Sequence, residues 1–177
     1  MIKVNVEVNN KPWNKKIKSP AELAGNVLRT TEEFGTPNIR ISERNSQVTF
    51  MGQQLLNPPS VEGWHQGLEW IETGSLTERV NFASQHLGDL SKPGVRKIVE
   101  NVISQAGDSM SGEECVDQCL SQLGAIQTSD YIHNTLIEFA EENGISGIDL
   151  AKDKDTAIQK ISEVMSVVAS VPEFQQS

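Results

Sequence analysis

The stretch SPAELAGNVL, residues 19–28, decides the fold. Ser19 can cap a helix, and Pro20 fits the first helical position because the N–H it lacks would be unpaired there anyway. Glu22 is placed to reach back to the cap, and Leu23, Val27 and Leu28 then recur on one helical face. The signature returns at Ser75-Leu76-Thr77-Glu78, before Val80, Phe82, Ala83 and Leu87. It returns again at Ser111-Gly112-Glu113-Glu114, before Val116, Cys119, Leu120 and Leu123, where Gly124 supplies a stop.

Working outward, Val48, Met51, Gln54 and Leu55 share a face of a helix expected from near Ser42 to just before Asn57-Pro58-Pro59. Val95, Ile98, Val99, Val102 and Ile103 keep helical spacing after Ser91-Lys92-Pro93. Tyr131, Ile132, Leu136, Ile137 and Phe139 do so before Asn143-Gly144. A last helix follows Asp153 or Asp155 and carries Ile158, Ile161, Val164, Met165 and Val168. The expected fold is all-α, about seven helices in an irregular bundle. A helical region over 18–90 and a second over 91–177 should form one compact unit, with Gly88 to Gly94 as the weakest link between them. Residues 1–17 read differently. Ile2, Val4, Val6 and Val8 alternate with polar residues at the period of a strand, which has no partner run and is expected to be an extended arm.

Composition narrows the function classes. The chain has 177 residues, a formal charge of −9, and 37% apolar and 5% aromatic residues, values that suit one acidic soluble domain. Its densest basic stretch, Lys11 to Lys18, is broken by Pro12, Trp13, Asn14 and Ile17, so no nucleic-acid partner is expected. No run reaches the ~18 apolar residues of a membrane span, and the first residues lack the apolar core of a secretory signal. As written, the chain would stay in the cytoplasm. Cys115 and Cys119 lie four apart in a helical pattern without further ligands nearby, which reads as two buried thiols rather than a metal site. No metal or other cofactor is expected.

NPPSVEGWHQGLEW, residues 57–70, breaks the helical pattern. Pro58 and Pro59 hold an extended path, Gly63 and Gly67 permit turns, and Trp64 and Trp70 sit where the chain bends. One reading is structural, with the indoles anchoring the loop on the helices beneath. The other is a ligand platform, in which Trp64 and Trp70 stack on a sugar while Glu62, His65 and Glu69 supply polar groups. His65 and Glu69 do not by themselves make a metal site, since His86 and His133 would have to arrive from elsewhere. Glu62 and Glu69 could supply a carboxylate pair for glycoside hydrolysis. GxxxxGK, GxGxxG, GxSxG and HExxH are all missing, and no catalytic residue is assigned.

Several segments, in order, carry a resemblance. They are Lys18-Ser19-Pro20-Ala21-Glu22-Leu23 with Leu28-Arg29, then Met51-Gly52-Gln53, then Asn57-Pro58-Pro59-Ser60-Val61-Glu62-Gly63-Trp64 with Gly67 and Trp70-Ile71. Leu76, Arg79, Asn81-Phe82 and finally Ala169-Ser170-Val171-Pro172-Glu173-Phe174-Gln175 follow. Together they resemble the C-terminal part of the bacterial family called domain of unknown function 1800, over residues 18–87 and the last of these segments. Residues from about 92 to 160 match little beyond helical character. The family has no established activity. The resemblance implies a large, mostly helical, commonly exported protein, often encoded beside another exported family, of which this chain looks like a C-terminal piece or reduced relative. It would then belong to the exported or cell-envelope fraction. The residues Asn57, Pro58, Pro59, Val61, Gly63, Trp64, Gly67, Trp70 and Arg79 are its structural motif. The expected function is a non-catalytic helical interaction or scaffold module with a protein partner or self-association. The alternative is a carbohydrate-binding or glycan-hydrolysing site at the Trp64/Trp70 loop.

Overall fold

Two of the three expected capping boxes close. Ser19 Oγ accepts from the Glu22 amide at 3.3 Å while the Glu22 carboxylate accepts from the Ser19 amide at 2.7 Å, and Ser111 and Glu114 do the same at 3.1 and 2.9 Å. The computed structural model describes residues 16–33 and 47–176. Their α-helices are α1 (Pro20–Thr30), α2 (Thr73–Leu87), α3 (Pro93–Gln105), α4 (Gly112–Gln122), α5 (Asp130–Glu142) and α6 (Lys154–Val168). Residues 47–50 are also helical, and 3-10 turns cover Gly67–Ile71, Ile145–Gly147 and Pro172–Gln175. The described residues contain no sheet, only isolated bridges at Ile17–Gln176 and Ser60–Gly63. The fold is all-α.

Three expectations need correction. Ser75 does not cap a helix: α2 begins at Thr73, and Ser75 in its first turn donates to the carbonyls of Trp70 at 3.1 Å and Glu72 at 2.9 Å. Its hydroxyl spends its proton on the preceding turn, leaving Glu72 in the cap position. The helix expected to run to Asn57 stops at Gly52, where φ is 99°, so Gln54 and Leu55 lie exposed in the loop instead of on a helical face. Left-handed backbone at a glycine ends that helix, and the two prolines follow a chain already irregular. Tyr131 keeps helical spacing yet is 75% exposed, because α5 buries only the Leu136 and Ala140 side of its stripe deeply. The arm expected over residues 1–17 and the helix start near Ser42 lie outside the described residues, apart from Lys16 and Ile17.

The last helix is the axis of the bundle. Ala157, Ile161, Val164, Met165 and Val168 recur at three- and four-residue steps, so α6 is apolar on a broad stripe and packs against α2, α3, α4 and α5. Leu23 and Val27 of α1, Phe82 and Leu87 of α2 and Val95 and Val99 of α3 join the same core as Cys115 and Cys119 of α4 and Leu136 of α5. Chain from both sides of residue 90 therefore shares one core.

The link between those sides is close-fitting. The Gly94 amide donates to the Thr31 carbonyl at 3.1 Å, and a Cβ at Gly94 would stand 2.0 Å from the Thr30 carbonyl oxygen. The glycine is there to let the start of α3 touch the end of α1. Glu33, 8% exposed, accepts from Lys92 Nζ at 2.8 Å and from Thr31 Oγ1 at 3.0 Å across the same junction.

Candidate functional site

The Pro/Gly/Trp loop is built on Gln54. Its carbonyl accepts from Trp64 Nε1 at 3.2 Å, and its side-chain oxygen accepts from Asn57 Nδ2 at 2.9 Å. Gln53 next to it accepts from the Ala21 amide at 2.9 Å, which fastens the loop to the first turn of α1. Between Asn57 and Trp64 the chain turns at Ser60–Gly63, with φ of 104° at Gly63, and the prolines and Val61 face outward. Trp70 is 5% exposed and Trp64 half-buried.

Glu62, His65 and Glu69 are all exposed. His65 Nδ1 lies 3.4 Å from Glu69 Oε2, and the His65 ring meets Trp70 edge-on at 6.2 Å. The same Glu69 oxygen accepts from the Gln66 amide at 3.1 Å, so this carboxylate closes its own 3-10 turn. His86 faces Glu33 at 3.8 Å and His133 pairs with Asp117 at 2.7 Å, so both are engaged on other parts of the surface. Among the described residues no three His, Cys, Asp or Glu side chains come together as metal ligands. Cys115 and Cys119 are fully buried on α4, where the hydrogen bond the protonated Cys119 makes with Cys115 and then burial push the Cys119 thiol well up; a protonated, enclosed thiol is a poor nucleophile and ligand.

Arg79 has the most unusual surroundings. It projects from α2 and is fully buried. Its Nε donates to Gln175 Oε1 at 3.0 Å and its Nη2 to the Lys18 carbonyl at 2.6 Å. Lys18 returns to the same place: its amide donates to the Gln175 carbonyl at 2.9 Å and its Nζ to the Phe174 carbonyl at 2.8 Å, 5.0 Å from the Phe174 ring. One guanidinium thus joins the start of α1, the middle of α2 and the C-terminal 3-10 turn. Burial lowers the Arg79 pKa to about 10, against the opposing charge of Glu22, so the group stays cationic at neutral pH. Burial, then the Arg79 charge, also lowers the Lys18 pKa. Arg79 Nη1 and Gln175 Nε2 have no hydrogen-bond partner among the described residues.

Lys18 to Glu22, Gln53, Asn57 to Trp70, Arg79 and Pro172 to Gln175 therefore interlock, although they are far apart in the chain. Residues 4–176 match the model of a family described as Protein of unknown function (DUF1800). The chain belongs to that family. The DUF1800 match includes residues 92–160, where the sequence reading found little beyond helical character, so the family pattern extends through the back helices as well. No curated protein and no solved structure matches the chain.

Sequence reasoning placed Arg79 in the DUF1800 motif but missed what it holds. Gln53 and Gln175 are buried polar residues outside any helical stripe, and periodicity gives no reason to pick them. Only the DUF1800 resemblance marked their segments.

Proposed function

We propose that this DUF1800 chain is a non-catalytic helical interaction module whose contact surface is the segment from Phe50 to Leu68. One observation carries the reading: of the six large apolar side chains exposed among the described residues, Phe50, Leu55, Leu56, Val61 and Leu68 belong to this segment, Tyr131 being the other. Leu56 is 96% exposed and also holds a φ of 65°, a left-handed conformation costly for a bulky residue. Apolar groups concentrated on one surface suit a protein partner. Buried Trp70 and the Trp64 to Gln54 hydrogen bond support an anchored loop over a glycan platform, which needs two open indole faces.

No helix of the described residues is long and apolar enough to cross a membrane. The partner tested first is a second copy of the chain, by sedimentation velocity from about one to about one hundred micromolar, a range set by ordinary association energies. Concentration-dependent association should appear and be lost in the Leu56→Lys, Val61→Lys double variant, while Tyr131→Lys leaves it unchanged. A monomer throughout, in wild type and variants alike, would remove self-association through this surface.

A further inference from the structure

Beyond that contact surface, the chain contains an open cavity of about 410 Å³ beside the Arg79 junction. Its walls come from α1, from the turn after α4 and from the C-terminal 3-10 turn, and its polar lining includes Lys18, Asn26, Arg29, Gln127 and Glu173. The volume lies within the range of small-molecule sites.

Two features set it apart from an ordinary surface dent. The first is charge. In a chain of formal charge −9, this wall presents Lys18 and Arg29, with Arg79 bonded to the Lys18 carbonyl behind them. The Arg29 side chain is exposed and has no hydrogen bond or ion pair among the described residues, and Lys18 uses one of its three ammonium donors on Phe174. Opposite in sign, Glu173 lines the same cavity; its Oε1 accepts from the Ser129 amide at 3.5 Å, and its Oε2 is buried. The second is backbone shape. Gly124 and Ala125 on the rim both take positive φ, 122° and 51°, and the left-handed Ala125 is strained. The turn is tied back by the Ala125 amide to Ser121 at 3.1 Å and the Ile126 amide to Leu120 at 3.2 Å, bonds that hold the rim in place.

We propose that this cavity binds a small carboxylic acid that also carries hydroxyl or amino groups. Lys18 and Arg29 receive the carboxylate, and Glu173 accepts from the ligand's donors, with Asn26 and Gln127 completing the polar wall. The Glu173 charge disfavours a dianion such as phosphate, which offers little to donate.

The test is a titration of the full-length, isotopically labelled chain followed by amide NMR, with gluconate, acetate and inorganic phosphate as separate probes. Gluconate should give saturable shifts at Gly124, Gln127 and Gln176 with Kd below about 10 mM, and acetate should bind the same place at least about tenfold more weakly. Arg29→Gln, at an exposed position, should weaken gluconate about tenfold or more. Glu173→Gln should narrow the gap between gluconate and acetate. Absence of saturable shifts at these amides, or an Arg29→Gln affinity equal to wild type, would overturn the site. Phosphate binding there more tightly than gluconate would overturn the assignment of the ligand.

Discussion

Arg79 shows how a single side chain can define a fold without belonging to its apolar stripe. A guanidinium presents its donors in a planar fork, so two of its nitrogens reach Gln175 and the Lys18 carbonyl at once; an ammonium on the same stem has one point of contact. Arg79→Lys is therefore expected to lower unfolding free energy by about 1–3 kcal/mol, since it leaves a buried acceptor unpaired. Arg79→Ala should cost more because it adds a cavity. Urea denaturation measures both. The two tryptophans should separate in the same assay. Trp70→Ala, at a buried ring, should cost about 3–5 kcal/mol. Trp64→Ala should cost less than half of that. A reversed order would mean that Trp64, and not Trp70, is the main anchor of the loop. In the sequence the two indoles look alike; the difference arises because Trp70 lies in a 3-10 turn packed on α2, which proline and glycine spacing does not encode.

At the scale of elements, helix starts were legible where the cap is local and illegible where the serine does something else. Ser19 and Ser111 accept from amides three residues on, as their spacing implied, so Ser19→Ala and Ser111→Ala should each lower stability by about 0.5–2 kcal/mol. Ser75 has the same spacing but donates to Trp70 and Glu72, and only the structure shows the preceding turn that receives its proton. The 3-10 turn Pro172–Gln175 was invisible to periodicity for a related reason: four residues make no stripe.

The junction between α1 and α3 makes two further expectations. Gly94→Ala should be severely destabilising, visible as a lost or much lowered urea midpoint, because its Cβ would collide with backbone at 2.0 Å. Glu33 gives the junction a pH dependence. Burial raises its pKa, but the Lys92 and Thr31 hydrogen bonds and the neighbouring His86 and Lys92 charges outweigh that and hold the carboxyl below its ordinary value. A carboxyl whose folded pKa is depressed contributes its full stability above its unfolded value and loses it as pH falls through the folded one. The urea midpoint should therefore drop between about pH 5 and about pH 3, and less steeply in Glu33→Gln. An equal slope in the variant would place the acid sensitivity elsewhere.

For the whole molecule, a few hydrogen bonds between residues far apart in the chain act as fasteners that make distant parts open together. Lys18 is held by Gln175, Ala21 by Gln53 and Gly94 by Thr31, while α6 fills the space between the front and back helices. The all-α class and most helix positions could be read from caps and apolar spacing, because those signals are local. The clamp could not, since each contact pairs residues that no local pattern relates. Native-state hydrogen exchange tests this unity most directly, through the amides of Lys18 and Gly94 compared with those of Ile161 and Val164 in α6. All four should exchange only through global unfolding, with opening free energies equal within about 0.5 kcal/mol and equally sensitive to denaturant. Exchange of Lys18 or Gly94 through a smaller, denaturant-insensitive opening, with α6 still protected, would contradict the clamp and leave the front helices as a separately opening layer.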